Sequence, residues 1–243
     1  MFARLSASRA PGQAISAFAG GADPHTLLSP LPIQHALLSC LTTRAALSLR
    51  AACRDARAAV AGHAWEDRDT VIRGSIAAWR ACFPRARCAS VRSGEPHFRR
   101  APVVDADFVH LEGLRELDMH GCSSVTDAAF AHLRGIHSLD MSFCSAVTDA
   151  AFAHLAGIQR LSLWGCTQAA LTDAALVRLR GIQVLNITFC RQLTGAALAP
   201  LAGSLRVLIM SFCRQEALGD AALAALGGGG CTRWSWTAAG SSA

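Results

Sequence analysis

From Leu111 to Leu226 apolar and polar positions recur in a fixed phrase. Each unit reads leucine or isoleucine, two residues, Leu, one residue, an aliphatic, two residues, Cys, then usually Thr-Asp-Ala-Ala and a closing Leu. The cysteines fall at Cys122, Cys144, Cys166, Cys190 and Cys213, giving spacings of 22, 22, 24 and 23 residues. The closing leucines Leu133, Leu155, Leu179, Leu201 and Leu226 keep the same beat. A period of this size marks a solenoid, in which each coil buries its apolar face only against its neighbours. In the first full unit Leu117 and Met119 alternate with polar residues, as a short half-buried strand requires. Thr126-Asp127 offers an N-cap to a short helix, on which Phe130 and Leu133 lie three apart on one face, and Gly135 ends it. Val103 to Leu111 matches the helix half one period earlier, so the array starts upstream with a degenerate strand half. The pattern predicts an α/β solenoid, a short horseshoe of five to six repeats over 103–226.

Outside the array the spacing is helical. Leu27 to Val60 carries close-set apolar residues, with Pro30 and Pro32 suited to enter a first helix through Leu37, Leu38 and Leu41. Thr42-Thr43 punctuates it with a hydroxyl for the next N-cap, and Gly62 is a stop. This small all-α unit is expected to span 27–67. A further amphipathic helix is expected from Asp69 to Trp79, on Val71, Ile72, Ile76 and Trp79, and Pro84 ends it. Cys82 to Val91 then supplies a first strand, so 68–102 reads as a helical linker and N-terminal cap. Gly227 to Gly230 breaks the pattern at the other end, and 227–243 reads as a degenerate cap, carried by Cys231 to Trp236, followed by a disordered tail. Residues 1–26 have Arg4 and Arg9 but no long apolar run; they read as a disordered tail or an organelle-targeting segment rather than a secretory signal.

Solenoids present broad concave surfaces, which moves the expectation from catalysis towards protein binding. Side-chain alternation places three rows on that surface: Glu116, Ser138, Arg160, Val184, Val207; Asp118, Asp140, Ser162, Asn186, Ile209; and His120, Ser142, Trp164, Thr188, Ser211. The surface is acidic early, polar in the middle and apolar late. The candidate target-binding residues are Glu116, Asp118, His120, Asp140, Ser142, Arg160, Ser162, Trp164, Asn186 and Thr188. Trp164 stands out against His, Ser, Thr and Ser at its equivalents, and is either an interface anchor or local packing over a turn.

Composition narrows the chemistry. The 243 residues carry a net charge of +6, yet charged residues are only 16% of the chain, short of a nucleic-acid signature. The Arg-rich stretch from Arg80 to Arg100 lacks interleaved aromatics apart from Phe83 and Phe98, which favours a solvated surface over nucleic acid. Every basic residue is Arg; there is no Lys. The ten cysteines follow no secretory signal and read as reduced thiols of a cytoplasmic or nuclear protein. One thiol per coil in a line does not converge as tetrahedral zinc needs, and no C-x-x-C occurs, so no metal or cofactor is expected. The recurring His110, His132 and His154 read as solvated positions on the outer side. No nucleophile elbow, phosphate loop or H-E-x-x-H is present, so no catalytic residues are assigned. Nothing approaches the length of a membrane span.

Two resemblances bear on function. The phrases Leu117-Asp118-Met119-His120-Gly121-Cys122 and Leu139-Asp140-Met141-Ser142-Phe143-Cys144, continued at Leu161 to Cys166, Leu185 to Cys190 and Leu208 to Cys213, resemble the cysteine-containing class of leucine-rich repeats. The segment Leu41 to Cys53, with Leu49-Arg50-Ala51-Ala52-Cys53-Arg54, an entry at Leu31-Pro32 or Ser29-Pro30, and Trp65 near the end, resembles an F-box. Ala56 stands where that family usually has Trp. The resemblance implies a non-catalytic substrate-recognition subunit of a Skp–cullin–F-box ubiquitin ligase. Pro32, Leu37, Leu38, Leu41, Leu47, Leu49 and Cys53 would line or support docking on a Skp-type adaptor, and the repeats would hold a protein substrate. The alternative is a leucine-rich-repeat interaction scaffold with no ubiquitin role.

Overall fold

The computed structural model describes residues 38–68, 70–93, 102–213 and 233–235. The tail 1–26, Pro30, Pro32, Leu37, residues 94–101 and the glycine run 227–230 lie outside them. The chain forms two compact units, Met1–His63 and Ala64–Ala243.

In the first unit, helix α1 (Thr43–Ala52) begins where Thr42 caps it, its hydroxyl accepting from the Ala45 N–H at 3.2 Å. Cys53 is extended and separates α1 from α2 (Arg54–Gly62), which it caps in turn, Sγ accepting from the Ala56 N–H at 3.4 Å. Among the described residues of this unit, the buried ones are Leu38, Thr43, Ala46, Ala56, Val60 and His63.

The second unit opens on aromatic packing. Trp65 meets Phe83 edge-on at 5.4 Å, and Trp79 lies 5.8 Å from the same ring. Trp65, expected to close the helical preface at 67, belongs here: its carbonyl accepts from the Arg87 N–H at 2.7 Å. The helix expected from Asp69 to Trp79 is helix α3 (Ile76–Cys82) instead. Ser75 caps it, which frees Val71 and Ile72 to run extended; Val71 bridges Ser90, and the Ile72 N–H donates to the Ser90 carbonyl at 2.8 Å. Two β-branched residues before Gly74 suit a sheet edge better than a helix interior.

Seven three-residue strands then stack in chain order, all parallel: β1 (Cys88–Ser90), β2 (Glu116–Asp118), β3 (Ser138–Asp140), β4 (Arg160–Ser162), β5 (Val184–Asn186), β6 (Val207–Ile209) and β7 (Arg233–Ser235). The register holds equivalent residues side by side, Leu117 with Leu139, Leu161, Leu185 and Leu208. These central leucines point inward and are buried, while their neighbours face the opposite side. The returns differ from the α-helices expected. Asp105–Leu111, Asp127–Leu133 and Asp149–His154 are 3-10 turns, as are Gly195–Ala197 and Ala199–Leu201, and among the described returns only α4 (Asp173–Val177) is α-helical. A 3-10 turn has three residues per revolution, so Phe130 and Leu133 stand in line and both reach the core.

Candidate functional site

Outward residues of β2 to β6 line a trough of about 350 Å³, with Glu116, Asp118, Asp140, Arg160, Ser162 and Asn186 on its wall. Arg68 and Arg92, which strand alternation did not reach, join them. Arg68 pairs with Glu116 at 2.8 Å, and Arg92 pairs through Nε with Asp118. Two charges are left over: among the described residues Asp140 and Arg160 form no ion pair. The second row also holds the chain. The Asp118, Asp140 and Asn186 side chains accept from the backbone N–H of His120, Ser142 and Thr188 at 3.2, 3.0 and 3.0 Å, closing a turn at each strand end.

His120, Trp164 and Thr188 sit at the rim beyond the strands, but Ser142, expected to face solvent beside them, is fully buried. Its hydroxyl lies 2.9 Å from that of Ser162 and also donates to Asp140. Beside it lies an aromatic cluster. The Phe143 ring stands 5.2 Å from both His120 and Trp164, edge-to-face with each, and His120 and Trp164 are 6.3 Å apart. Phe189 and Phe212 stack at 4.7 Å with planes 5° apart. Trp164 therefore both packs locally and remains 40% exposed; Phe143 is 44% exposed.

The three phenylalanines occupy an unusual backbone position. The residue before each repeat cysteine is Gly121, Phe143, Gly165, Phe189 and Phe212, and all five have positive φ, from 58° to 73°. Glycine adopts that conformation freely, whereas a bulky side chain there is strained by about 1–3 kcal/mol. The glycines are used as well: a Cβ on Gly165 would come within 2.5 Å of the Phe143 ring. The repeat spacing places these residues in register, but nothing in side-chain preference says a phenylalanine would turn left-handed.

Beneath the rim the fixed letters of the repeat are structural. Each cysteine donates its S–H to a carbonyl of the preceding coil: Cys122 to Val91 at 3.4 Å, Cys144 to Met119 at 3.3 Å, Cys166 to Met141 at 3.2 Å, Cys190 to Leu163 at 3.0 Å and Cys213 to Ile187 at 3.1 Å. Burial raises the thiol pKa of Cys144, Cys190 and Cys213 and pushes that of Cys166 up to about 11. Folding thus holds the Cys166 proton, and its contribution to stability, complete below pH 9.0, is lost as pH rises towards 11. We expect a maleimide to label exposed Cys40 in the native chain at pH 7.5, and the ladder thiols only after denaturation, as read by peptide mass spectrometry. Rapid native labelling of Cys144 or Cys166 would contradict the ladder.

A second ladder runs along the outer side. The Asp105 carboxylate takes the Thr126 N–H and O–H at 2.7 and 2.6 Å, and Asp127, Asp149 and Asp173 repeat this with Thr148, Thr172 and Thr194. The threonines also cap their own turns, as the sequence indicates.

In the first unit Leu38 is buried, Leu41, Leu49 and Cys53 are half-buried, and Leu47 is 45% exposed. Pro32 and Leu37 fall outside the described residues.

No protein-family model matches this sequence, and the search of curated proteins found no match. Among solved structures, a chain of the Rad7–Elc1 complex in yeast is similar at TM-score 0.50 and 15% identity, covering 78% of this chain and 58% of that one. A chain of the TLR13–ssRNA13 complex is similar at TM-score 0.46 and 15% identity, covering 71% of this chain and 24% of that one. The first likeness agrees with the in-register parallel strands: the second unit is a leucine-rich-repeat-like α/β solenoid.

Proposed function

We propose that this chain is a non-catalytic substrate-recognition subunit of a Skp–cullin–F-box ubiquitin ligase, acting in the cytoplasm or nucleus. The helical unit docks on a Skp-type adaptor and the solenoid's inner face holds a target protein. The observation that carries this reading is the pairing, in one chain, of two kinds of surface. One is a helical unit that leaves the large apolar side chain of Leu47 in solvent, and the other is a solenoid whose outward residues change from repeat to repeat while the central leucines of β2 to β6 do not. A leucine left 45% exposed contributes little to the interior of its own unit and is suited to a partner's pocket. A fold neighbour crystallised with a second protein, as Rad7 and Elc1 were, adds to this reading.

The test is retention of a purified Skp-type adaptor by the full chain. Leu47→Asp, or Leu41→Asp with Leu49→Asp, should lower retention by about tenfold or more, because a buried apolar anchor typically contributes about 2 kcal/mol, while the thermal unfolding of the solenoid stays unchanged. If the wild-type chain retains no adaptor, the ligase reading falls and the interaction scaffold takes its place.

A further inference from the structure

We infer that His120, Phe143 and Trp164, together with Asp140, form a subsite for a cationic side chain, arginine or lysine, of the protein held by the solenoid. This deepens the proposed function by naming the chemistry of its target. Phe143 and Trp164 are 44% and 40% exposed just beyond the strand ends, and the rings meet edge-to-face rather than stacked, so neither exposed ring is sandwiched within the cluster. Aromatic ring faces are electron-rich and attract cations within about 6 Å. Phe143 is held there despite its left-handed backbone, with Gly165 kept small beneath its ring. Glycine at position 143 would relieve both the strain and the exposure, as Gly121 and Gly165 do in the flanking coils. The phenylalanine thus works against the stability of its own turn.

The carboxylate decides what the rings take. Asp140 ends β3, two residues before buried Ser142, and its Oδ1 accepts from that residue's N–H and O–H. Its neighbour Asp118 is already matched by Arg92 and accepts a bond from Ser90, and Glu116 is matched by Arg68. Asp140 has no counter-charge among the described residues. Arg160 does not supply one, because the register sets it opposite Ser138 and sets Ser162 opposite Asp140. A purely apolar group laid over the cluster would strip water from this anion without replacing it, which is unfavourable. An acidic group would be repelled. A guanidinium or ammonium over the rings satisfies the carboxylate and the ring faces together.

The test uses the full chain and immobilised nonapeptide pools, cysteine-free and randomised except for a central Arg, Lys, Gln, Glu or Leu. The Arg and Lys pools should retain at least about fivefold more protein than the others, and Trp164→Ala and Asp140→Asn should each bring that retention down to the Gln level. Asparagine is compatible with the turn, since Asn186 makes the equivalent bond to Thr188 in β5. Phe143→Gly should also abolish the preference while its melting temperature stays equal to or above that of the wild type, an outcome that separates lost binding from lost folding. The inference is overturned if the Leu or Glu pool is retained best, if no pool rises above background, if an oligothymidylate is retained in preference to every pool, or if the Arg preference survives Asp140→Asn. Adaptor retention by the same preparation is a separate readout. A chain that binds adaptor but no pool removes only the subsite, and one that prefers the Arg pool but binds no adaptor removes only the ligase reading.

Discussion

Replacing Phe130 with alanine is expected to lower the stability of the solenoid by about 3–5 kcal/mol, the range for deleting a fully buried aromatic ring. Phe130 has no exposed surface and occupies the middle of a column in which Phe108, Phe130 and Phe152 hold equivalent places in successive 3-10 turns. Two features set the size of the effect. The 3-10 turn is narrow and tied to its neighbours, so the backbone has little freedom to collapse into the space left by the ring. A solenoid coil also touches only the coils before and after it, so one deletion weakens two interfaces and leaves no distant contact to compensate. A stability of about 5–15 kcal/mol for a domain of this kind would then fall by a large fraction. Urea unfolding followed by circular dichroism checks this. A lower midpoint at unchanged slope means the array still unfolds as one, and a shallower slope means that coils on one side of the lesion unravel first. The same measurement on Leu139→Ala should give about 2–5 kcal/mol, because Leu139 fills the equivalent place on the strand side. A Phe130→Ala chain with the wild-type midpoint would contradict the packing described.

The repeat could be read from sequence because its spacing is fixed by the stacking itself. Leu117, Leu139, Leu161, Leu185 and Leu208 must fall in register for parallel strands to pair, so their period reports the coil directly. The returns were harder. The spacing of Phe130 and Leu133 satisfies a 3-10 turn as well as an α-helix, and the alanines between them favour the α form locally. The stacked neighbours decide the matter. Val71, Ile72, Ile76 and Trp79 fit a helical period equally well, and the edge of β1, which offers the Ser90 carbonyl, draws the first two into an extended run. On the inner face, alternation placed Glu116, Asp118, Asp140 and Arg160 correctly on the trough. It failed at Ser142, because alternation holds only while the chain is a strand. The left-handed turn at Phe143 lies immediately beyond, and Ser142 is drawn into its hydrogen bonds to Asp140 and Ser162. The same turn hides the phenylalanines from any sequence rule except alignment of the repeats, which sets them beside Gly121 and Gly165.

Asp149→Ala is expected to destabilise the solenoid by about 2–3 kcal/mol, since it removes two charge-assisted hydrogen bonds that hold one coil to the next. The carboxylate receives the Thr172 N–H at 2.7 Å and the Thr172 O–H at 2.5 Å. Thr172 is exposed, so water can replace part of what is lost, which keeps the effect below that of the buried ring. Thr172 would still cap α4 through its hydroxyl, which accepts from the Ala174 N–H at 3.3 Å. The loss should therefore fall on the junction between coils rather than on the turn itself, and hydrogen exchange can separate the two. In Asp149→Ala the amide of Thr172 should exchange faster by a factor reflecting the lost bond, while the amides of Leu163 and Gly165, which donate to the Asn186 and Thr188 carbonyls of the next coil, keep protection set by the global stability. Asp149→Asn retains one acceptor oxygen and should lose about half as much. The natural sequence already carries a version of this variant at Gly195, which follows Thr194 and has no carboxylate to offer the next coil. Transplanting the carboxylate is the converse experiment: Gly195→Asp should leave the junctions before it unchanged, because Asp173 already serves Thr194 through both of its oxygens. If Asp149→Ala unfolds at the wild-type midpoint with unchanged exchange at Thr172, the aspartate–threonine ladder does not couple the coils.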